Sequence, residues 1–287
     1  MISIWKFGFF AHTYRMCQLL GMNCNTPTDI CFSFSGFQKR GGLTDIHKDG
    51  WGIAFFEGRG VRQFLDPQAS AYSPLAELVK NYPIRSTSVI SHIRKATQGR
   101  VALENTHPFQ RELWGSYWIF AHNGNVPNFQ PALQKTFLPV GDTDSERAFC
   151  WIMQEMKRRF GDVKPGTKEL FLAIAEFSKE IGSSGEFNFL LSNGEALYAH
   201  CSTKLYYIVR RAPFTTATLK DREVTVDFSN ETKVDDCVAI IATSPLTDNE
   251  VWTEMVPGTL WMFENGEPVA EAVTVAGKKT EASACSV

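Results

Sequence analysis

The sequence predicts an α+β fold built on antiparallel sheet. Three observations carry that expectation. Apolar patterns run strands first, then two long helices, then strands again. Hairpin signals outnumber strand–helix–strand signals, which favours antiparallel pairing over a parallel sheet. The two central helices are amphipathic and need sheet faces to cover. The pattern leaves the order of the layers open.

In chain order, "NTPTDICFSFSGFQKRGG" reads as a helix, with Thr28 or Asp29 as N-cap and Gly41-Gly42 as its stop. "DGWGIAFFEGRGVRQFL" reads as a hairpin, two apolar-rich runs around Gly58-Arg59-Gly60. "SPLAELVKNYP" is a short helix capped by Ser73, with Pro74 at its first position and Pro83 ending it. "STSVISHIRKAT" starts as a buried strand and finishes in polar residues, and "SYWIFAHNGNV" has the same form. A strand that ends in polar groups and glycine tends to deliver them to a site. "DTDSERAFCWIMQEMKRRFG" is a helix starting at Asp144 or Ser145 and ending at Gly161, and "TKELFLAIAEFSKEIG" is a second. The runs "EFNFLLS", "ALYAHCS", "LYYIVRR", "DCVAIIATSPL" and "GTLWMFENGEPV" read as strands, the first two joined by an Asn193-Gly194 turn. With no repeat and no linker, one domain is expected over 17–269, followed by a frayed tail over 270–287.

Composition narrows the function. A chain of 287 residues with 44% hydrophobic and 21% charged residues can bury a sizeable core. A net charge of -2 creates no field that recruits nucleic acid or an anionic membrane, so neither is expected as a partner. The seven cysteines are odd in number and include no C-x-x-C pair, which argues against a disulfide framework and a zinc ribbon and for the cytoplasm. No apolar run approaches the ~20 residues of a membrane span. The first sixteen residues have no clear h-region or cleavage site and read as a leader or a mis-assigned start, absent from the mature protein. His92, His107 and His122 lack the close spacing of metal ligands and read as hydrogen-bonding groups near a site; no metal and no cofactor is expected.

Four clusters bear chemistry: Cys17, "HIRKATQG", "AHNGN" and "GDTDSE". Each alone has a bland reading, as a buried thiol, a surface arginine, a turn or a helix cap. Together they match the needs of acyl transfer from an amide. Cys17 supplies a nucleophile as thiolate, and its own α-amine can take the proton if the chain begins there. Asn123 and Gly124 can offer N–H groups to an oxyanion. Arg94 can grip a carboxylate by two parallel hydrogen bonds, and Asp144 can hold an ammonium. An α-amino acid carries both groups, and glutamine or a γ-glutamyl amide adds the cleavable amide.

The ordered set "MCQLLGMNCNTPTDICFSFSGFQKRGG", "HKDGWGIAF", "SHIRKATQGRVALENTHPF", "YWIFAHNGNV", "GDTDSERAFCW" and "RRAPFTTATL" resembles the class II glutamine amidotransferases, which are N-terminal-nucleophile (Ntn) hydrolases, and is most similar to their stand-alone, YafJ-like bacterial group. The resemblance implies a four-layer αββα Ntn-hydrolase sandwich with two antiparallel sheets. It implies Cys17 as nucleophile, Asn123 and Gly124 as the oxyanion pair, Arg94 and Thr97 as binders of the substrate carboxylate side, and Asp144 as receiver of the substrate amine. Arg40 and Gly41 match a family Arg-Gly near the nucleophile, assigned here to substrate binding. Lys95 and Gln98 stand where synthase-linked members have Trp and His, which places the edge of the pocket in question. The expected reaction is hydrolysis of the γ-amide of glutamine through a cysteinyl thioester. Hydrolysis of a glutathione-like γ-glutamyl compound is the alternative within the same chemistry, and a non-catalytic ligand-binding relative is the third. Any ammonia-accepting partner subunit lies on another protein, since the chain has no length left for a synthase domain.

Overall fold

The computed structural model describes residues 17–228, 233–275 and 282–284. The expected leader over 1–16 lies outside the described residues. The strands are β1 Gln18–Thr28, β2 Trp51–Glu57, β3 Gly60–Asp66, β4 Ser86–Ile93, β5 Phe109–Leu113, β6 Ser116–Asn125, β7 Glu186–Ser192 and β8 Leu197–Cys201. They continue as β9 Tyr206–Arg211, β10 Thr216–Thr218, β11 Thr225–Asp227, β12 Cys237–Ala242, β13 Thr253–Glu254, β14 Thr259–Glu264, β15 Glu267–Val273 and β16 Ala282–Ala284. The α-helices are α1 Cys31–Phe37, α2 Pro74–Asn81, α3 Asp144–Phe160 and α4 Thr167–Gly182.

Two seven-stranded antiparallel sheets form, in the orders β13-β9-β12-β1-β4-β2-β3 and β16-β15-β14-β8-β7-β6-β5. A small β10-β11 ribbon stands apart from both. Strand alternation divides the side chains between three cores. Leu19, Ala54 and Ile90 of the first sheet meet Ile119, Leu190 and Leu197 of the second between the sheets. Leu20, Ile53 and Val89 face outward against Phe34 and Phe37 of α1 and Ala76 and Val79 of α2. Phe120 and Leu191 face outward against Phe149 and Ile152 of α3 and Ile174 of α4. The fold is therefore the αββα sandwich. Each buried Leu, Ile or Phe contributes about 1.5–3 kcal/mol, so the three cores together fix the relative placement of the sheets.

Several local expectations change. β1 was not expected as a strand: it is the middle strand of its sheet and is buried on both faces through Cys24, so its polar-apolar alternation is missing. Thr28 is its last residue rather than a helix cap, and the helix after it is one short element, Cys31–Phe37, tightened into a 3₁₀ turn over Gln38–Arg40 before Gly41. The Asp29 carboxylate does accept the Cys31 N–H, at 3.0 Å. The Ser73 cap and Pro74 of α2 are as read, with the Ala76 N–H donating to Ser73 Oγ. α3 begins at Asp144, but its cap is Thr143, whose Oγ1 accepts the Glu146 N–H at 3.2 Å. The expected frayed tail contains strand: β15 runs to Val273 and pairs with β16. The remainder of that tail, from 276 to 281 and from 285 on, lies outside the described residues.

Candidate active site

Cys17 immediately precedes β1, and the pairing of Gln18 with Ile93 sets it beside the residues that follow β4. The Lys95 N–H donates to Cys17 Sγ at 3.1 Å, and the thiol donates back to the Lys95 carbonyl at 3.3 Å. Burial pushes the Cys17 thiol up to about 11, outweighing the downward pull of the Lys95 amide and the Arg94 guanidinium; Asp49 adds to the rise. At neutral pH this sulfur is a thiol, and it needs a base to attack anything.

The facing wall comes from the second sheet. Asn123 and Gly124 close β6, paired with Asn188 and Phe187 of β7. Asn123 is fully buried; its Nδ2 donates to Thr243 Oγ1 at 3.3 Å, and the same hydroxyl accepts the Leu19 N–H at 2.9 Å. One hydroxyl after β12 thus links the strand behind Cys17 to the end of β6. Gly124 has φ +155°, and a Cβ there would lie 2.0 Å from the Glu186 carbonyl oxygen and 2.8 Å from His122 Nε2, so only glycine fits.

The third wall is the start of α3. Because Thr143 caps the helix, the Asp144 carboxylate is free to turn inward: Oδ2 accepts the Val126 N–H at 2.7 Å and Oδ1 the Ser145 N–H at 2.8 Å. His122 Nε2 lies 3.0 Å from the Glu186 carbonyl and Nδ1 2.8 Å from Ser145 Oγ. A carbonyl only accepts, so Nε2 carries the hydrogen and Nδ1 accepts from the serine. Burial lowers the basicity of His122 against the opposing field of Asp144, in keeping with a neutral ring.

Cys17, Arg94, Thr97, Gly124 and Asp144 line one cleft together with Lys95, Gln98, His107, His122, Thr143 and Ser145. Its volume is about 20 Å³, room for about one water molecule. The loop after β4 narrows it. Arg94 Nη1 donates to the Arg100 carbonyl at 3.0 Å and Nη2 to those of Gln98 and Gly99 at 2.8 and 3.2 Å, while Gln98 Nε2 donates to Asn125 Oδ1 at 2.5 Å across the cleft. Larger cavities lie elsewhere, one of about 340 Å³ lined mostly by apolar side chains between α1, β12 and the β10-β11 ribbon, and one of about 360 Å³ beside α4. The chemistry-bearing groups converge on the small cleft, and size alone would mislead.

Arg40, Gly41 and the fully buried Asn123 are not among the cleft's lining residues. The Arg40 guanidinium is spent on protein groups: Nε donates to Asp221 Oδ2 at 2.8 Å, Nη1 to Gln18 Oε1 at 3.3 Å and Ser244 Oγ at 2.9 Å, and Nη2 to the Pro245 carbonyl at 2.8 Å. Gly41 packs against Ser70. Thr243 completes the surroundings of the cleft without any sequence signal, since it is brought in only by the packing. Among the described residues no group of three His, Cys, Asp or Glu side chains is arranged to hold a metal ion.

The family model for class II glutamine amidotransferases matches residues 16–286. The chain belongs to the class II glutamine amidotransferases. Among relatives of this amidotransferase, the Escherichia coli protein YafJ, named as a glutamine amidotransferase, is 52% identical over 254 residues, covering 88% of this chain and all of that one (100%). A solved structure from Pseudomonas aeruginosa, named likewise, shares 46% identity with a TM-score of 0.72 and covers 88% of this chain and 100% of its own. A more distant relative, the gamma-glutamyl-hercynylcysteine sulfoxide hydrolase of Mycobacterium tuberculosis, is 26% identical over 188 residues, covering 63% of this chain and 69% of that protein. Among the described residues of this amidotransferase no helix is long and apolar enough to cross a membrane.

Proposed function

We propose that this amidotransferase hydrolyses the γ-amide of glutamine through Cys17, giving glutamate and ammonia. The observation that carries the reading is the meeting of Cys17, Gly124, Arg94 and Asp144 on one cleft, drawn from both sheets and the start of α3. A thiol held up to about 11 needs a base at the sulfur. His122 is unsuited, with both ring nitrogens already bonded. The Cys17 α-amine is suited: with a reference pKa of about 7.7–8.0, it is partly neutral at working pH. A mid-chain amide nitrogen has its lone pair in the carbonyl and cannot serve. The active form therefore begins at Cys17, with residues 1–16 absent.

In the proposed reaction the amine takes the thiol proton and Sγ bonds to the γ-carbonyl carbon. Asn123 Nδ2 and the Gly124 N–H receive the oxyanion. The C–N bond breaks, the proton passes to the leaving nitrogen, and ammonia departs from a γ-glutamyl thioester. Water then releases glutamate. Arg94 takes the α-carboxylate, with Thr97 beside it, and Asp144 takes the α-ammonium. For its fork to reach a carboxylate, Arg94 exchanges its bonds to the Gln98 and Gly99 carbonyls, and the cleft widens as it does so. Arg40 serves binding indirectly, by holding the Gln18 side chain at the start of β1. The reaction is placed in the cytoplasm, with any ammonia acceptor on a separate protein.

The mycobacterial relative favours a second reading, in which the leaving group is a larger amine and the substrate a γ-glutamyl compound. Both substrates share the γ-glutamyl head that the cleft would grip. The deciding experiment measures ammonia release from glutamine and amine release from glutathione by the chain beginning at Cys17, with Cys17→Ala as control. Release from glutamine alone, abolished by Cys17→Ala, is the expected result. Turnover that survives Cys17→Ala removes the nucleophile assignment, and turnover of glutathione in preference to glutamine selects the second reading.

A further inference from the structure

Two of the buried histidines that the proposed chemistry leaves unused, His92 and His107, pack against each other. His92 lies on β4 opposite Gly52 of β2 and Leu19 of β1. His107 packs against it with the rings tilted by 41° and their centroids 4.3 Å apart, and the Phe109 ring lies 4.4 Å from His107. The main chains meet so closely that a Cβ at Gly52 would lie 2.3 Å from the His107 carbonyl oxygen, which explains the glycine of "DGWGI". His92 is 0% and His107 3% exposed. Neither ring nitrogen of His107 has a hydrogen-bond partner among the described residues. Buried polar atoms of this kind ordinarily hold water.

The two rings differ in one respect: His107 lines the cleft with Cys17, and His92 does not. His122 lines it too, but its nitrogens are taken by Ser145 and Glu186. His107 is thus the imidazole in the cleft with a nitrogen to offer, beside a space of about one water. Burial holds His107 and His92 well below the ordinary histidine range, so each ring is neutral and keeps one acceptor nitrogen.

We propose that His107 is a positioning residue for hydrolysis: it holds, beside Cys17, the water that cleaves the γ-glutamyl thioester, while His92 backs its ring. The inference rests on the thioester reading given above. In the step, the water oxygen bonds to the γ-carbonyl carbon and the C–Sγ bond breaks, its electron pair returning to Sγ. One water proton passes through the Cys17 amine to restore the thiol. The other is accepted by His107 as a hydrogen bond only; it stays with the new γ-carboxyl group and is lost to solvent on ionisation. His107 ends unchanged.

Two variants separate this role from packing. His107→Phe keeps a ring between His92 and Phe109, and His107→Asn keeps a polar group; thermal unfolding checks that each folds. The chain beginning at Cys17 is mixed with glutamine, quenched in acid, and weighed intact for the γ-glutamyl adduct on Cys17. In His107→Phe, kcat should fall about tenfold, the worth of one lost transition-state hydrogen bond. The first turnover of ammonia should keep its rate, the adduct should become the main species, and hydroxylamine, a stronger nucleophile than water, should restore turnover. His107→Asn should fall between Phe and wild type. Unchanged kcat in both variants, or a loss of kcat without adduct, overturns the role of His107. A wild-type enzyme that turns over without ever forming the adduct overturns the thioester reading itself, a separate result.

Discussion

Lys95 holds the Cys17 sulfur from two sides, its N–H donating at 3.1 Å and its carbonyl accepting the thiol at 3.3 Å. With burial pushing that thiol up to about 11, the chain carrying residues 1–16 should alkylate slowly at pH 7. Its rate with iodoacetamide should climb about tenfold per pH unit from 8 to 10, as thiolate forms. The chain starting at Cys17 should react faster at pH 7, where its amine assists. Equal rates at pH 7 for the two forms would remove the amine from the mechanism.

Gly124→Ala should destabilise the protein and abolish turnover together. The added Cβ would lie 2.0 Å from the Glu186 oxygen and 2.8 Å from His122 Nε2, so the end of β6 must shift. A loss of about 2–4 kcal/mol in urea unfolding is expected, the scale of overpacking combined with a strained backbone. A variant of wild-type stability would mean that this strand end can yield without cost.

Arg94→Lys and Asn123→Ala should differ in kind. Lysine keeps the charge but loses the planar fork and the span across the Gln98, Gly99 and Arg100 carbonyls, so KM should rise, by about tenfold or more. Asn123→Ala removes an oxyanion donor and should lower kcat by about 10²–10³. Matching effects on both parameters in both variants would contradict the separate roles.

Stability should fall as pH drops from 7 to 5. Burial lowers His92, His107 and His122, and His200 to about 4, while the unfolded chain titrates near 6.5. Below pH 6.5 the unfolded state therefore binds more protons than the folded one, and the folded state loses ground as acid is added. Each such histidine contributes up to about 1.4 kcal/mol per pH unit. Urea midpoints at pH 7 and 5 measure the loss. Coincident midpoints would show that these rings charge freely in the fold.

Much of the site was legible because chemistry and strand ends coincide in sequence. "SHIRKAT" and "AHNGN" each run from an apolar stretch into polar residues, and these arrive at the same cleft from different sheets. The residues that hold the cleft were not legible. The Arg40 guanidinium meets Asp221 and Pro245 across 181 and 205 positions of chain, and no local pattern encodes such a pairing. β1 escaped for the opposite reason: buried on both faces, it offers no alternation. The start of α3 at Asp144 was legible, but its cap was not: Thr143, Asp144 and Ser145 are all competent caps, and the choice depends on Val126 presenting its N–H to Asp144.

A polypeptide end normally frays, because its last residues are tethered on one side only. Arg40 removes that freedom from the residue next to Cys17. It grasps the Gln18 side chain with the same guanidinium that anchors to Asp221, Ser244 and Pro245. A peptide chain cut just before Cys17 would thus expose a terminus that is already moored, a loose end made into a fixed point. The aim of the sulfur would then owe nothing to whatever chain once preceded it.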